Sequence, residues 1–155
     1  MQNGSRKIGY YGAYGDPRVN RSTAALTEDM VHILAQKYDV THMSRNEYSL
    51  LMYDLRSAGI ITPQEFSAGY GGTLPNAGIP VARSPETLPI GDNKADFEEL
   101  LKQYVGYCSE FLKASAENGM EQDHSRSLLS TYSHLCTLFG LIHSSRSESS
   151  TEGGA

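Results

Sequence analysis

Two helix-start signatures of the same kind stand eighteen residues apart, Ser44-Arg45-Asn46-Glu47 and Thr62-Pro63-Gln64-Glu65. In such a capping box the hydroxyl accepts from the backbone N–H three residues on, and the glutamate reaches back to the N–H of the cap. Pro63 occupies the first helical position, where its missing N–H removes no bond. Behind the first box Tyr48, Leu51, Met52 and Leu55 repeat at the three–four spacing of one buried helix face, and Gly59 ends the run. Behind the second, Phe66 and Tyr70 lie four apart on a short helix. A helix, a tight turn and a second helix are therefore dictated over this stretch.

The rest of the chain is read outward from it. Upstream, Thr27 caps a helix whose first turn holds Glu28 and Asp29, with Met30, Ile33, Leu34 and Tyr38 expected on the buried face. Downstream, Asp92 or Asn93 is expected to cap a long helix carrying Phe97, Leu100, Leu101, Tyr104, Cys108, Phe111 and Leu112, stopped by Asn118-Gly119. Asp123 then opens a last helix with Leu128, Tyr132, Leu135, Cys136, Phe139 and Ile142 inward. The short link between these two makes them an antiparallel hairpin. No stretch shows a period of two, so the fold class is all-α. It consists of a long antiparallel helical hairpin packed with two or three shorter helices, an extended Gly/Pro-rich strap between the two parts, and a disordered C-terminal tail.

The expected organisation is a Gly/Tyr-rich N-terminal arm over 1–21, one helical domain over 22–143, and a tail over 144–155. Within the domain, 22–68 holds the short capped helices, 69–91 the strap or linker, and 92–143 the hairpin. The segment 69–91 contains four of the six prolines and is longer than ordinary loops in a compact domain. Its Leu74, Ile79, Val81, Leu88 and Ile90 are more apolar than a free linker needs, which favours a packed strap.

Charge and composition narrow the function classes. The net charge is −5, and all of it falls in 78–155, which holds six basic and eleven acidic residues. Clustered Lys and Arg, needed to neutralise a phosphate backbone, are missing, so nucleic acid is not expected as a partner. No run approaches the eighteen apolar residues of a membrane span, and the first residues lack a signal-peptide core. Two cysteines, Cys108 and Cys136, are too few for a disulfide framework and sit in apolar stripes. A cytoplasmic protein is expected.

Twelve residues from Asp54 resemble an EF-hand calcium loop at positions 1, 6, 8 and 12, occupied by Asp54, Gly59, Ile61 and Glu65. Arg56 stands at position 3 and Ala58 at position 5, where oxygen ligands belong, and a plain helix–turn–helix explains every one of these residues. A DNA-reading turn is disfavoured because Gln64, Glu65 and Ser67 are followed by no cation until Arg83. His32, His42, His124, His134 and His143 form no i, i+4 pair, although a tertiary site such as Cys136 with His32 is conceivable. His134, beside the core stripe, is expected to hydrogen-bond there. Cys108 has Glu110 near it in sequence and lacks the cations that activate a thiol. Gly69-Tyr70-Gly71-Gly72-Thr73 lacks the lysine of a phosphate loop.

No catalytic, cofactor-binding or metal residue is assigned, and no cofactor is expected. The expected role is a non-catalytic protein–protein interaction or adaptor module, with a protein partner or self-association through an exposed aromatic patch. The alternatives are an export-type chaperone gripping a client helix, a small-molecule site or enzyme under the 69–91 strap, and a degenerate calcium binder.

Overall fold

The computed structural model describes residues 26–75 and 85–153. Its elements are α1 (Glu28–Lys37), β1 (Met43–Ser44), α2 (Arg45–Ser57), α3 (Pro63–Gly71), β2 (Lys94–Ala95), α4 (Phe97–Glu117) and α5 (Asp123–Gly153). The all-α class holds: five helices carry the described residues, and the two short strands form one antiparallel pairing, Met43 with Ala95 and Ser44 with Lys94. The arm over 1–21 and the middle of the Gly/Pro-rich segment, 76–84, lie outside the described residues.

α4 and α5 form the hairpin. Glu98 meets His143 at one end while Tyr104 packs edge-on against Tyr132 further along, so partner numbers fall as the other strand of the hairpin rises. α1 and α3 both lie on α5, and α2 on α3. The core joins them all: Tyr48, Leu51, Met52, Leu55, Phe97, Leu101, Tyr132, Leu135 and Phe139 are almost wholly buried. Tyr48 stacks on Phe97 with ring centroids 4.5 Å apart and meets Phe139 edge-on.

Both capping boxes form as their sequences dictate. Ser44 Oγ accepts from Glu47 N at 3.2 Å while Glu47 Oε1 accepts from Ser44 N at 2.9 Å. Thr62 Oγ1 accepts from Glu65 N at 3.1 Å while Glu65 Oε1 accepts from Thr62 N at 2.9 Å. Gly59 ends α2 in the left-handed region, φ 75°, and lets Ile60 N donate to Leu55 O.

Four details depart from the sequence reading. The cap of α4 is Asp96, which accepts from Glu99 N, because Lys94–Ala95 is drawn into pairing with β1 and helix can begin only after it. On α1 the buried face is Val31, Leu34 and Ala35, and Ile33 turns outward at 56% exposure. α3 runs into the glycine stretch as far as Gly71, because α2 and α5 close on it there: a Cβ on Gly69 would lie 2.7 Å from Leu135 Cδ1 and 2.8 Å from Met52 Cε. α5 stays helical past His143, where the polar tail was expected to begin. Arg146 Nη1 donates to Ala35 O at 2.9 Å, and Ser145 Oγ lies 3.3 Å from His32 Nδ1, so these polar residues dock the end of α1.

The two boxes differ in burial. Glu47 is exposed to solvent along one side and pairs with Lys94, itself 42% exposed. Glu65 is fully buried, and its second oxygen lies 2.7 Å from Nδ1 of His134, which is also buried. Replacing Glu65 with Ala is expected to lower the unfolding free energy by about 3–5 kcal/mol, since it strips the partner from a buried polar group. Glu47→Ala is expected to cost less than about 1 kcal/mol. Urea unfolding of both variants decides the point, and equal losses would show that the buried pair contributes nothing beyond the cap.

Candidate functional site

α2 and α3 present one face on which aromatic and cationic side chains interleave. Residues 45, 53 and 56 fall on one side of α2 by helical spacing, and Phe66 and Tyr70 lie one turn apart on α3. The Arg56 guanidinium sits 4.9 Å from the centroid of Phe66, and Phe66 stacks on Tyr70 at 5.3 Å. Tyr53 contacts both rings, at 4.9 and 6.0 Å. Arg45 closes the row 4.8 Å over Tyr70, with Nη2 bonded to the Tyr70 carbonyl. The two guanidinium groups thus bracket a continuous run of three rings, and cation–π attraction holds each end in place.

Tyr53 and Arg56 of this row are open to solvent, as is Leu50 on the same helix. Tyr53 is 49% exposed, and Leu50, one turn before Asp54, is 50% exposed. The acids of α2 and α3 are meanwhile all engaged elsewhere. Glu47 closes its capping box and meets Lys94. Asp54 accepts from Lys37 Nζ at 2.8 Å and from Tyr38 Oη at 2.5 Å. Glu65 is buried against His134. Among the described residues no carboxylate lies within ion-pair distance of Arg45 or Arg56. A protein of net charge −5 therefore carries a cationic, aromatic face.

Four further tyrosines among the described residues bond backbone carbonyls. Tyr48 Oη donates to Gly69 O at 2.6 Å, and Tyr132 Oη bonds Thr73 O at 2.6 Å and Ala68 O at 3.2 Å. Tyr104 Oη donates to Glu86 O and Tyr107 Oη to Pro75 O. Burial pushes the phenols of Tyr48, Tyr104 and Tyr132 above their ordinary value, so they stay protonated donors. The described ends of the 69–91 segment are thereby tied to α4 and α5 through backbone carbonyls, with Gln103 Oε1 accepting from Glu86 N as a further tie.

The other candidates fall where their surroundings put them. Asp54 turns to α1 and Glu65 to α5, so the first and last positions of the calcium-loop resemblance do not converge. His32 lies against Ser145, His134 against Glu65 and His143 against Glu98. Among the described residues no three His, Cys, Asp or Glu side chains group to hold a metal ion. Cys108 and Cys136 are free thiols. Burial lifts Cys108 to about 12 and Cys136 to about 11, with nearby Lys102 only partly offsetting the rise at Cys136. Neither is poised as a nucleophile at neutral pH.

Clefts open elsewhere on the surface. One of about 320 Å³ lies between α4 and α5, lined by Lys102, Val105, Ser133, Cys136 and Thr137. Another, of about 390 Å³, lies between α1 and the end of α5 beside His32 and Ser145. A third of about 390 Å³ follows α4 beside the end of the Gly/Pro-rich segment, where Glu86, Glu99 and Glu110 surround Tyr107. The sequence signal for the α2–α3 face was the i, i+4 pair Phe66 and Tyr70, which reads equally well as core. That Arg45 and Arg56 would flank it depends on the crossing of the two helices.

No protein-family model, curated protein or solved structure matches this chain. Among the described residues no helix is long and apolar enough to cross a membrane.

Asp54 also gives the α1–α2 contact a pH dependence. Partial burial raises its carboxyl, but the bonds from Lys37 and Tyr38 and the Lys37 charge outweigh that and hold it below the ordinary 3.8. A carboxyl lowered by folding stabilises the fold above its unfolded value, and that contribution disappears as pH falls through the folded value. The wild-type melting temperature should therefore drop as pH is lowered from about 5 to 2. Asp54→Asn should start lower at neutral pH and drop less over the same range. Parallel slopes in the two proteins would remove Asp54 from the acid response.

Proposed function

We propose that this chain is a non-catalytic protein-interaction module whose docking surface is the cation–aromatic face of α2 and α3. The observation that carries this reading is the row Arg56, Phe66, Tyr53, Tyr70, Arg45, in which Arg56 and Tyr53 are open to water over the buried Phe66. Tyrosine and arginine are the residues on which binding energy concentrates at protein interfaces. A Tyr ring brings contact area with little rotamer freedom to lose. Stacking on Phe66 and Tyr70 fixes the two guanidinium groups and Tyr53 before a partner arrives, which lowers the entropic cost of binding further.

Two guanidinium groups are too few to neutralise a nucleic-acid backbone, so a protein is the partner this face suits. An approaching carboxylate would find the planar donor group of the exposed Arg56, with no competing acid beside it among the described residues. The free thiols suit a reducing compartment, and we place the protein in the cytoplasm on that ground.

A photoreactive benzoylphenylalanine at position 53, introduced in the full chain in cells, should yield one discrete crosslinked product on irradiation. The same probe at Glu117, exposed at the end of α4, should not. No product from position 53, or the same products from both positions, would defeat the docking reading.

A further inference from the structure

We propose that the cleft between α4 and α5 binds a short-chain carboxylic acid, held by Lys102 and Ser133. The cleft shares no residue with the α2–α3 face and does not depend on the reading of that face. Its volume is about 320 Å³, at the small end of the roughly 300–1,000 Å³ usual for ligand pockets. Lys102 and Val105 fall at i, i+3 on α4, and Ser133, Cys136 and Thr137 fall at i, i+3 and i+4 on α5, so each set lies along one side of its helix. The large side chains at this level of the hairpin, Tyr104, Tyr132 and Phe139, turn into the core. The outer seam is left to a valine, a cysteine and two short hydroxyl residues, too small to fill the gap between two packed helices.

Ser133 is the residue that points to a ligand. It is only 4% exposed, yet among the described residues its hydroxyl makes no hydrogen bond. A serine inside a helix commonly returns its hydroxyl to the carbonyl four residues back, as Ser115 does to Phe111 O and Ser49 to Arg45 O. Ser133 forgoes that bond and lines the cleft instead. A hydroxyl taken out of bulk water without a partner costs free energy, and an oxygen of a bound molecule recovers it.

Lys102 sets the sign of that molecule. It is exposed at the rim, and among the described residues no carboxylate lies within ion-pair distance of its ammonium. The two glutamates one turn before it are occupied elsewhere: Glu98 lies 2.6 Å from His143 Nδ1, and Glu99 lines the separate groove beside Tyr107. A carboxylate has two oxygens, and this cleft offers them one ammonium and one hydroxyl. Val105 and the Cys136 side chain supply an apolar wall for a short chain. Burial lifts the Cys136 thiol to about 11, so it stays neutral and no second negative charge competes.

Titration of the isotope-labelled full chain with hexanoate, followed by amide chemical shifts, tests this. Saturable shifts should centre on residues 102–105 of α4 and 133–137 of α5. Hexanol, with the same chain and no charge, should bind about tenfold more weakly. Lys102→Gln should weaken hexanoate by about tenfold and Ser133→Ala by about fivefold, each with the melting temperature within a few degrees of the parent chain. No saturable shift by about 10 mM hexanoate, where a millimolar site would be filled, would overturn the proposal. Shifts centred elsewhere, hexanol bound as well as hexanoate, or an affinity unchanged in either variant would do the same. Inorganic phosphate bound as tightly as hexanoate would reduce the cleft to a surface cation and overturn it too.

Discussion

The buried contact between Glu65 and His134 holds the two halves of the molecule together. One carboxylate does two jobs with its two oxygens: Oε1 closes the capping box on Thr62, and Oε2 meets the imidazole on α5 at 2.7 Å. The start of α3 is thereby fixed to the hairpin by a polar contact with no tolerance for slippage, since a buried carboxylate displaced from its partners is severely penalised. The other end of α3 is held just as closely. Its carbonyls at Ala68 and Gly69 accept from the backbone of Thr73 and Gly72, and Tyr132, Tyr48 and Arg45 add side-chain bonds to Ala68, Gly69 and Tyr70 from α5 and α2. α3 is only nine residues long and would be marginal alone, so these contacts at its two ends determine where its outer face points.

That placement decides which aromatics are available. Tyr48, Tyr104 and Tyr132 spend their hydroxyls on backbone carbonyls and their rings on the core, in a chain only 20% of whose residues are Leu, Ile, Val or Phe. Phe66 and Tyr70 lie about 100° round α3 from Glu65 and Gly69, where Phe66 is buried and Tyr70 half-buried against Tyr53 and Arg56. The pinning of α3 to the hairpin and the ring-and-cation row therefore lie on neighbouring faces of the same nine residues.

Local chemistry was legible from the sequence and long-range chemistry was not. Both capping boxes, the glycine stops at Gly59 and Gly119, and the hairpin stripes are set by neighbours within a few residues, and they form as read. The cap at Asp96 and the outward turn of Ile33 were misread because each depends on a distant partner: β1 captures Lys94–Ala95, and α5 selects which stripe of α1 it covers. The helical course through Ser145 and Arg146 escaped for the same reason, since single polar residues docking a helix end leave no apolar period. An inward bond for His134 was legible from its place beside the stripe, but its partner, sixty-nine residues away, was not. The α2–α3 face escaped because Phe66 and Tyr70 have the spacing of core residues, and the cations over them come from another helix.

The charge pattern follows from the same segregation. Capping and burial consume every acid of α2 and α3, and each use is local to the fold: Glu47 and Glu65 close boxes, and Asp54 ties α2 to α1. Arg45 is half-buried and bonded to the Tyr70 carbonyl, which leaves Arg56 as the exposed cation of this face. α4 shows the reverse. Its outward positions carry Glu99 and Glu110, which line one groove with Glu86, and each is followed three residues on by an exposed lysine, Lys102 and Lys113. The exposed cation beside Tyr53 and the acidic groove beside Tyr107 are thus surplus charges of opposite sign on separate parts of the fold, and a second acidic cleft lies by Glu28, Asp29 and Glu148 between α1 and α5.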